Sequence, residues 1–482
     1  MPTRTDDSAS AKGAPSNGDG AKGTMVKPGD ESATASGAPA ASSDPMAPIR
    51  SRGYVVLLIL AALIGAPLAA GAFGFLQAVS HLQTELFTDL PTSLGFHGEP
   101  TWWPLPLLAV AGILVALTIR YLPGTGGHEP SEGLKTGGVA KPSELPGILL
   151  AALASLSLGA VIGPEAPLIA LGGGLAALAA RLAKRDADAK TIAVAAAAGS
   201  FAAVSALLGS PLLGAFLLME ASGLGGATLV IVLMPGLLAA GVGALVFVGL
   251  GSWTGLGTGS LTIANPPPAS DPTVAEFGWA LVIGVASAFV GVAIRRGALY
   301  LRRPVGRQRL LLTPLAGLGV AGLAIAFAEG TGKTSNEVLF SGQSALSQLI
   351  DDSARYSEGA LILLFACKGL AYALSMAAFR GGPVFPAMFL GAAGGIALSH
   401  APGLPLGPAV AMGIGAMGVA MLKLPMTSVL LATLLLGKSG LTVMPLVIVA
   451  VVVCHVVAIR LVPDQADSAD PHPPHPGVPD SS

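Results

Sequence analysis

The chain has 482 residues, of which 52% are hydrophobic and only 11% are charged, and its formal net charge is −1 at pH 7. Together with a mean hydropathy of +0.72, this composition excludes an ordinary soluble domain. The sequence predicts a membrane protein whose partners are the lipid bilayer and small solutes, with no nucleic acid among them.

The two ends of the chain lack the apolar patterning of the rest. Residues 1–48 are rich in Ala, Ser, Gly, Pro and Asp, and they contain neither the apolar core nor the cleavage pattern of a signal peptide. Residues 463–482 have the same polar character. We therefore expect a disordered cytoplasmic tail at 1–48, a transmembrane domain at 49–462 and a second disordered tail at 463–482.

Between the tails, several uncharged runs reach about the 18 residues that indicate a membrane-spanning helix. The clearest of these runs are residues 53–80, 103–119, 225–251 and 441–459. Two cysteines, Cys367 and Cys454, lie in apolar stretches without a nearby partner, so we expect reduced thiols and neither a disulfide nor a metal site.

Lysine and arginine positions predict the topology, because cytoplasmic loops hold most of the positive charge. Basic residues cluster at 50–52, 120–141, 181–190 and 295–309, and Arg460 precedes the second tail. All of these can lie on one side of the membrane if both termini are cytoplasmic. The pattern predicts a multi-pass protein of the plasma membrane.

Two pairs of segments repeat along the chain in the same order. "GPEAPLIALGGG" from Gly163 superposes without a gap on "GPVFPAMFLGAAGG" from Gly382, and "PLLGAFLLME" from Pro211 matches "PMTSVLLATL" from Pro425. The chain therefore consists of two related halves.

The halves, about residues 50–255 and 270–462, begin on opposite sides of the membrane in this topology. Inverted halves are typical of transporters with a central binding site. The predicted fold is an all-α polytopic membrane protein of two inverted-topology repeats with broken, re-entrant helices.

One carboxylate, Glu165, lies inside an otherwise uncharged apolar run. Gly163 permits a tight chain reversal there, and Pro164 suits the first position of a helix. The backbone amides of Glu165 and Ala166 would then be among the free N–H groups of that helix end.

The second half builds a matching helix end after Gly382, where the amides of Val384 and Phe385 are free. Helix N-termini attract anions, so two such ends near the middle of the membrane favour a small-anion site. An ionised Glu165 would occupy that site, and a protonated Glu165 would leave it. The alternative is a carboxylate that only caps its helix. An ionisable residue at the centre of a membrane helix costs at least ~2.5 kcal/mol, which favours an ion pathway.

These segments resemble motifs of the CLC chloride channels and proton/chloride antiporters. "GPEAP" (163–167) resembles the family's G-[KR]-E-G-P segment with its gating glutamate, and "GGPVFPAMFLGAAGG" (381–395) resembles G-x-F-x-P-x-x-x-x-G-A-x-x-G. "PGTGGHE" (123–129) is similar to G-S-G-I-P-E. The resemblance covers about residues 50–462, and it implies a CLC-like fold, anion transport and a homodimer.

By this resemblance Glu165 is the external gating glutamate, and Thr125 replaces the serine whose hydroxyl reaches the central anion. The implied anion-binding residues are Thr125, Gly126, Pro164, Glu165, Ala166, Val384 and Phe385. The motifs depart from the family at Gly127 and His128, which replace Ile-Pro, and at Pro164 and Ala166, which replace a basic residue and a glycine. Two further departures concern the transport path. Ala221 stands where the antiporters have an inner glutamate, and no tyrosine follows Arg460, where the family has one at the central anion.

Four further residues allow two interpretations each. Glu220 is either a structural carboxylate or a displaced proton relay, and His128 is either a loop residue or a relay. Lys368 and His455, in apolar segments, are each either a buried polar partner of another helix or a residue at the lipid interface.

Two functions of other classes are weaker hypotheses. Ser439 in "GKSG" and His455 suggest an intramembrane serine protease, but Lys438 and the following "LTVMP" predict a loop between helices there. A membrane scaffold would leave Glu165 and the broken helices unexplained. The sequence contains no nucleotide-binding loop and no pattern of metal or haem ligands, so we expect no enzyme, cofactor or metal.

The sequence as a whole predicts transport of chloride or a similar small anion, gated by Glu165. Conduction as a channel and proton-coupled antiport, including fluoride export by the same fold, are both open at this point.

Overall fold

The computed structural model describes residues 47–134, 139–183, 186, 188–223, 226–256, 263 and 265–462. Most of the predicted tails, at 1–46 and 463–482, lies outside these residues, as do Lys135, Lys184 and Arg185 of the predicted basic clusters. The helices are α1 (Arg52–Thr84), α2 (Leu90–Ser93), α3 (Pro104–Tyr121), α4 (Leu145–Ser157), α5 (Glu165–Ala183), α6 (Ala189–Leu208), α7 (Pro211–Ser222), α8 (Gly226–Thr254), α9 (Val274–Arg307), α10 (Arg309–Thr331), α11 (Gln343–Asp351), α12 (Glu358–Ala378), α13 (Val384–Leu398), α14 (Leu406–Leu422), α15 (Pro425–Leu435) and α16 (Gly437–Leu461).

Nine helical segments in the described part of the chain are long and apolar enough to cross a membrane. The four uncharged runs picked out in the sequence lie within α1, α3, α8 and α16, apart from one residue at the start of two of them. Large apolar side chains on several of these helices are exposed, including Leu63, Leu245 and Phe289. Exposed apolar surface of this extent indicates contact with lipid. The prediction of a polytopic, all-α membrane protein is confirmed.

The helices pack in the same way in the two halves. In the first half α1 packs on α8, α5 on α6 and α6 on α8, and in the second half α9 packs on α16, α13 on α14 and α14 on α16. Between the halves α3 packs on α10 and α7 on α15, so equivalent helices meet each other. This arrangement is the one expected of two related repeats.

Glycines allow the closest helix contacts. A Cβ atom added at Gly391 of α13 would overlap the backbone of Gly413 in α14, and the first half has the same contact between Gly172 of α5 and Gly199 of α6. Apolar side chains gain little by leaving lipid, so membrane helices depend on such close backbone packing for their association.

Glu220 joins the two halves at α7 and α15. Its carboxylate accepts hydrogen bonds from the amides of Met426 (2.9 Å) and Thr427 (2.8 Å) and from the Thr427 hydroxyl (2.7 Å), at the beginning of α15. A carboxylate at a helix N-terminus satisfies free amides and interacts favourably with the helix dipole. These contacts favour the structural interpretation of Glu220.

Lys368 is a fully buried residue of α12 with defined partners on another segment. Its Nζ donates to the carbonyl oxygens of Glu337 (2.9 Å), Val338 (3.0 Å) and Leu339 (3.0 Å), and it lies 4.3 Å from the ring centroid of Phe389. A buried ammonium is tolerated when its donors are satisfied in this way. The interpretation as a buried polar partner is therefore correct, and the lipid-interface alternative is wrong.

The prediction of a loop at "GKSG" is wrong, because α16 begins at Gly437 and includes the whole segment. Ser439 and His455 consequently lie on one helix, separated by 16 residues. At 1.5 Å per residue they are about 24 Å apart along the axis, far beyond hydrogen-bond reach. This separation excludes Ser439 and His455 as a protease dyad, and the exclusion is firmer than the one based on a loop at "GKSG".

The glycine contact between α13 and α14 can be tested with Gly413→Ala. The added Cβ would overlap the Gly391 carbonyl, and overpacking of this kind costs about 1–3 kcal/mol. We expect a lower midpoint of thermal unfolding in detergent. The matched control is Gly322→Ala in α10, where the added Cβ has nothing within 4 Å and helix propensity improves. Equal midpoints for the two variants would contradict the contact.

Candidate functional site

The two halves are joined at the candidate site by a pair of backbone hydrogen bonds. The Gly163 amide donates to the Gly382 carbonyl (2.7 Å), and the Gly382 amide donates to the Gly163 carbonyl (2.6 Å). Shortly after each glycine a helix begins, α5 at Glu165 and α13 at Val384. The two predicted broken helix ends therefore lie side by side.

Each helix begins one residue later than the sequence suggested. Pro164 lies just before α5 and not at its first position, and its carbonyl accepts the first helical hydrogen bond, from Leu168 (3.1 Å). Pro383 likewise precedes α13. Helix ends commonly shift by one residue in this way, and the free amides stay at the predicted place.

The Glu165 side chain crosses from the first half to the second. It is fully buried, and its Oε1 accepts a hydrogen bond from the Phe385 amide at 2.9 Å. Its Oε2 is buried and has no hydrogen-bond partner among the described residues. The carboxylate thus occupies the free N-terminus of α13, where an anion is favoured.

Gly163 and Gly382 leave the space in which the Glu165 carboxylate lies. A Cβ atom added at either glycine would collide with the carboxylate oxygens. Neither glycine has a positive φ, so the requirement comes from close approach and not from backbone conformation. The glycines of both motifs are therefore needed for the same contact.

Two serines, one from each half, form hydrogen bonds across the junction. Ser155 of α4 accepts from the Arg380 amide (3.2 Å), and Ser375 of α12 accepts from the Val161 amide (3.0 Å). Each serine thus satisfies a buried amide of the other half, in nearly equivalent positions. Buried amides in a membrane protein need such partners, because no water replaces them.

Tyr372 is a further buried residue at this junction. Its hydroxyl donates to the Pro383 carbonyl at 2.7 Å, just before α13 begins. Sequence analysis missed this residue, because a tyrosine in an apolar helix does not reveal which backbone its hydroxyl reaches.

The predicted anion residue Thr125 lies on the loop that follows α3. Its side chain is exposed, its φ is +51°, and its carbonyl accepts from Arg380 Nε at 3.2 Å. Gly126 is buried beside it, with a φ of +71°. No described hydrogen bond joins this loop to Glu165, so the central-site role of Thr125 and Gly126 stays a prediction.

Arg380 connects that loop to a cluster of ion pairs. It is only 3% exposed, and its Nη2 lies 3.1 Å from Oε1 of Glu129. Arg309 lies 3.0 Å from the same oxygen, and Arg302 contacts both Glu129 and Glu132. Sequence analysis missed Arg380, although the rule that singled out Glu165, a lone ionisable residue beside an apolar motif, would have found it.

His128 belongs to the same loop. Its Nε2 lies 2.7 Å from the Gly133 carbonyl, and its Nδ1 lies 3.9 Å from Glu132. Both contacts lie within the loop, which favours a loop residue over a proton relay. The relay itself is untested.

A partly open cavity of about 470 Å³ reaches α13 at Phe389. Phe389, one turn after Phe385 on α13, lies on its wall together with Glu337, Lys333 and Tyr356. Burial raises the pKa of Glu337, and the hydrogen bond from Tyr356 and the charges of Lys333 and Lys368 oppose this shift. The cavity thus places titratable groups between the surface and α13.

In the structure the Glu165 carboxylate therefore contacts the Phe385 amide. Both residues lie beside Pro164, Ala166 and Val384 at the two helix ends. Thr125 and Gly126 lie on a separate loop that reaches the junction through Arg380. Within the described ranges, no cluster of three His, Cys, Asp or Glu side chains could hold a metal ion.

This junction of two broken helices and a buried glutamate matches a known family. The sequence profile described as "Voltage gated chloride channel" matches residues 107–458, more than half of the chain. The chain belongs to the voltage-gated chloride channel family. The resemblance of the three motifs to CLC proteins is thereby confirmed.

Relatives and solved structures agree with this family. YfeO of Escherichia fergusonii, a candidate ion-transport protein, is 29% identical over 383 residues, which cover 77% of this chain and 86% of YfeO. YfeO of Escherichia coli strain SE11 is 28% identical over 382 residues, with the same coverage.

Two solved structures share the fold. A slow cyanobacterial Cl⁻/H⁺ antiporter has a TM-score of 0.67 at 19% identity and covers 84% of this chain and 94% of its own. A CLC-type fluoride/proton antiporter has a TM-score of 0.61 at 18% identity and covers 84% of this chain and 95% of its own. At these identities the likeness concerns the fold.

The Glu129 cluster gives a pH-dependent prediction. Burial alone would raise the pKa of Glu129, but the charges of Arg380, Arg309 and Arg302 outweigh it and lower the pKa overall. A lowered pKa means that the ionised group stabilises the fold above its unfolded pKa of about 4.3. This stability is lost as the pH falls through the lower, folded value.

We therefore expect Glu129→Gln to lower the free energy of unfolding at pH 7 by about 1–3 kcal/mol. That is less than the ~3–5 kcal/mol for a fully buried pair, because Glu129 is 18% exposed. The difference in free energy of unfolding between Glu129→Gln and wild type should be smaller at about pH 3.5. The control is Glu358→Gln, an exposed carboxylate at the start of α12. An equal loss at both pH values would contradict the ion-pair explanation.

Proposed function

We propose that this CLC protein carries chloride or a similar small anion across the membrane through the junction of α5 and α13, with Glu165 as its gate. The hydrogen bond from the Phe385 amide to the Glu165 carboxylate carries this proposal. It places a carboxyl side chain of one half at the helix N-terminus of the other, which supports a site for a negative group.

The gate works by competition for one position. A helix N-terminus attracts any small anion, so the carboxylate of Glu165 and a transported anion both favour the Phe385 amide. A protonated carboxyl is neutral and loses most of this attraction. Protonation thus releases the side chain and admits the anion, and the second oxygen, which lacks a described partner, is the one able to take the proton.

The loop of Thr125 and Gly126 supplies the proposed inner part of the pathway. Arg380 donates to the Thr125 carbonyl and fixes this loop against the second half. The cluster around it holds Arg302, Arg309 and Arg380 against Glu129 and Glu132, so its formal charge is positive. A positive cluster raises the local concentration of anions.

Coupling to protons is the second candidate property. Ala221 cannot carry a proton, and Glu220 already accepts three hydrogen bonds at α15. Neither residue therefore supplies an inner proton relay in this geometry. These observations favour passive anion movement, whereas the two solved antiporters share only the fold.

We also propose a plasma-membrane location, cytoplasmic termini and a homodimer. Arg296 donates to the carbonyl of Leu461 at 2.6 Å, so the end of α16 lies beside the basic second half of α9. This contact supports the placement of residues 295–309 and Arg460 on one side of the membrane. The homodimer rests on the family resemblance.

The proposed function is tested with purified protein in liposomes. We expect chloride efflux down its gradient, faster at lower pH, and no uphill proton movement when the internal pH is recorded at the same time. Uphill proton movement would establish an antiporter. Efflux of fluoride without chloride would assign a different anion, and the absence of any anion flux would refute the proposal.

The gate is tested with Glu165→Gln. Glutamine keeps the size of the side chain and an oxygen for the Phe385 amide, but it cannot ionise. We expect anion flux that no longer depends on pH. The matched control is Glu276→Gln, a 1% exposed carboxylate that caps α9 together with Thr273 and should keep the wild-type pH dependence. Retained pH dependence in Glu165→Gln would remove Glu165 from the gate.

A further inference from the structure

A groove between α9, α14 and α16 lies apart from the proposed pathway. Arg295 and Arg296 of α9, Lys423 after α14 and His455 of α16 line it, together with apolar residues such as Leu299 and Val462. Its volume is about 70 Å³. His455, which the sequence left open, is half-buried in this groove.

The groove concentrates positive charge, and the described part of the chain places no acidic side chain in its wall. Arg295, Arg296 and Lys423 form no ion pair with an Asp or Glu among the residues that the structure describes. One N–H of Arg296 is engaged by the Leu461 carbonyl, while Arg295 is half-buried.

The helix ends at the groove do not cancel this charge. Residues 419–423 and 455–462 are the C-terminal ends of α14 and α16, and each such end carries roughly half a negative charge. Arg295 lies well before the end of α9, so that end contributes little. Three cations against about one negative charge leave a clear positive excess.

The apolar residues in the wall of the groove indicate that its ligand comes from the lipid bilayer. Leu299 and Val462 flank the cations, and exposed apolar residues of the same helices, such as Ile459 (49% exposed), face the lipid. A ligand with a negative head and an apolar body fits both parts of this wall. Cations at a membrane surface can also simply extend towards water, but that does not account for the half-buried Arg295.

We propose that this groove binds the phosphate headgroup of an anionic phospholipid. Basic pockets between membrane helices bind such headgroups, and the arginine and lysine donors suit phosphate oxygens.

The proposal is independent of the transport function and is tested by binding. Protein purified from bilayers of phosphatidylglycerol and phosphatidylcholine is analysed by native mass spectrometry for retained phosphatidylglycerol. The groove variant is Arg296→Gln with Lys423→Gln, both exposed positions. The control is Arg303→Gln with Arg307→Gln, which removes the same charge from exposed positions of α9. Arg295→Gln tests the half-buried cation separately.

We expect the groove variant to retain phosphatidylglycerol about tenfold more weakly than wild type, and the control to resemble wild type. Inorganic phosphate at millimolar concentration should not displace the lipid. Displacement by phosphate would assign the groove to a soluble phosphate and overturn the lipid. Equal retention by the groove and control variants, or retention of phosphatidylcholine in the same amount, would also overturn it. A correctly folded Arg295→Gln variant that binds as wild type would remove Arg295 from the site.

Discussion

The backbone pair between Gly163 and Gly382 is the contact on which the site depends. It joins the two halves where each begins a broken helix, and it does so with backbone groups alone, so no side chain has to bridge the halves there. The Glu165 carboxylate then uses that space. In a membrane an unpaired amide or carbonyl is costly, so the same pair satisfies backbone groups of both segments and positions the proposed gate.

Buried and half-buried charges in this protein differ in how fully their hydrogen bonds are satisfied. Lys368 donates to three carbonyl oxygens, Glu220 accepts three hydrogen bonds, and Arg380 contacts both Glu129 and the Thr125 carbonyl. The Glu165 carboxylate accepts from the Phe385 amide through Oε1, while its Oε2 has no hydrogen-bond partner among the described residues. A saturated charge fixes structure, because moving it breaks several bonds at once. A carboxylate with one oxygen left unsatisfied is held less firmly, which is what the proposed gate requires.

The sequence was sufficient for the membrane spans, the two halves and the position of Glu165. These follow from composition, from an aligned repeat and from the cost of an ionisable group in an apolar run. It was insufficient for Tyr372, Arg380 and the partners of Lys368, because each contact joins segments distant along the chain. The wrong loop prediction at "GKSG" has a local cause, since Lys438 and the following "LTVMP" predict a loop but here lie in the first turns of a helix.

The repeat is nearly symmetric in its backbone and asymmetric in its charge. Val384 stands at the position equivalent to Glu165, so each half offers a helix N-terminus but only the first supplies a carboxylate. That carboxylate lies on the Phe385 amide of the second half and not at the equivalent amide of Ala166. One anionic side chain is thus shared between two ends that both favour anions. In the proposed gate the carboxylate and the transported anion compete for the Phe385 amide, so one titratable side chain is enough to close the site.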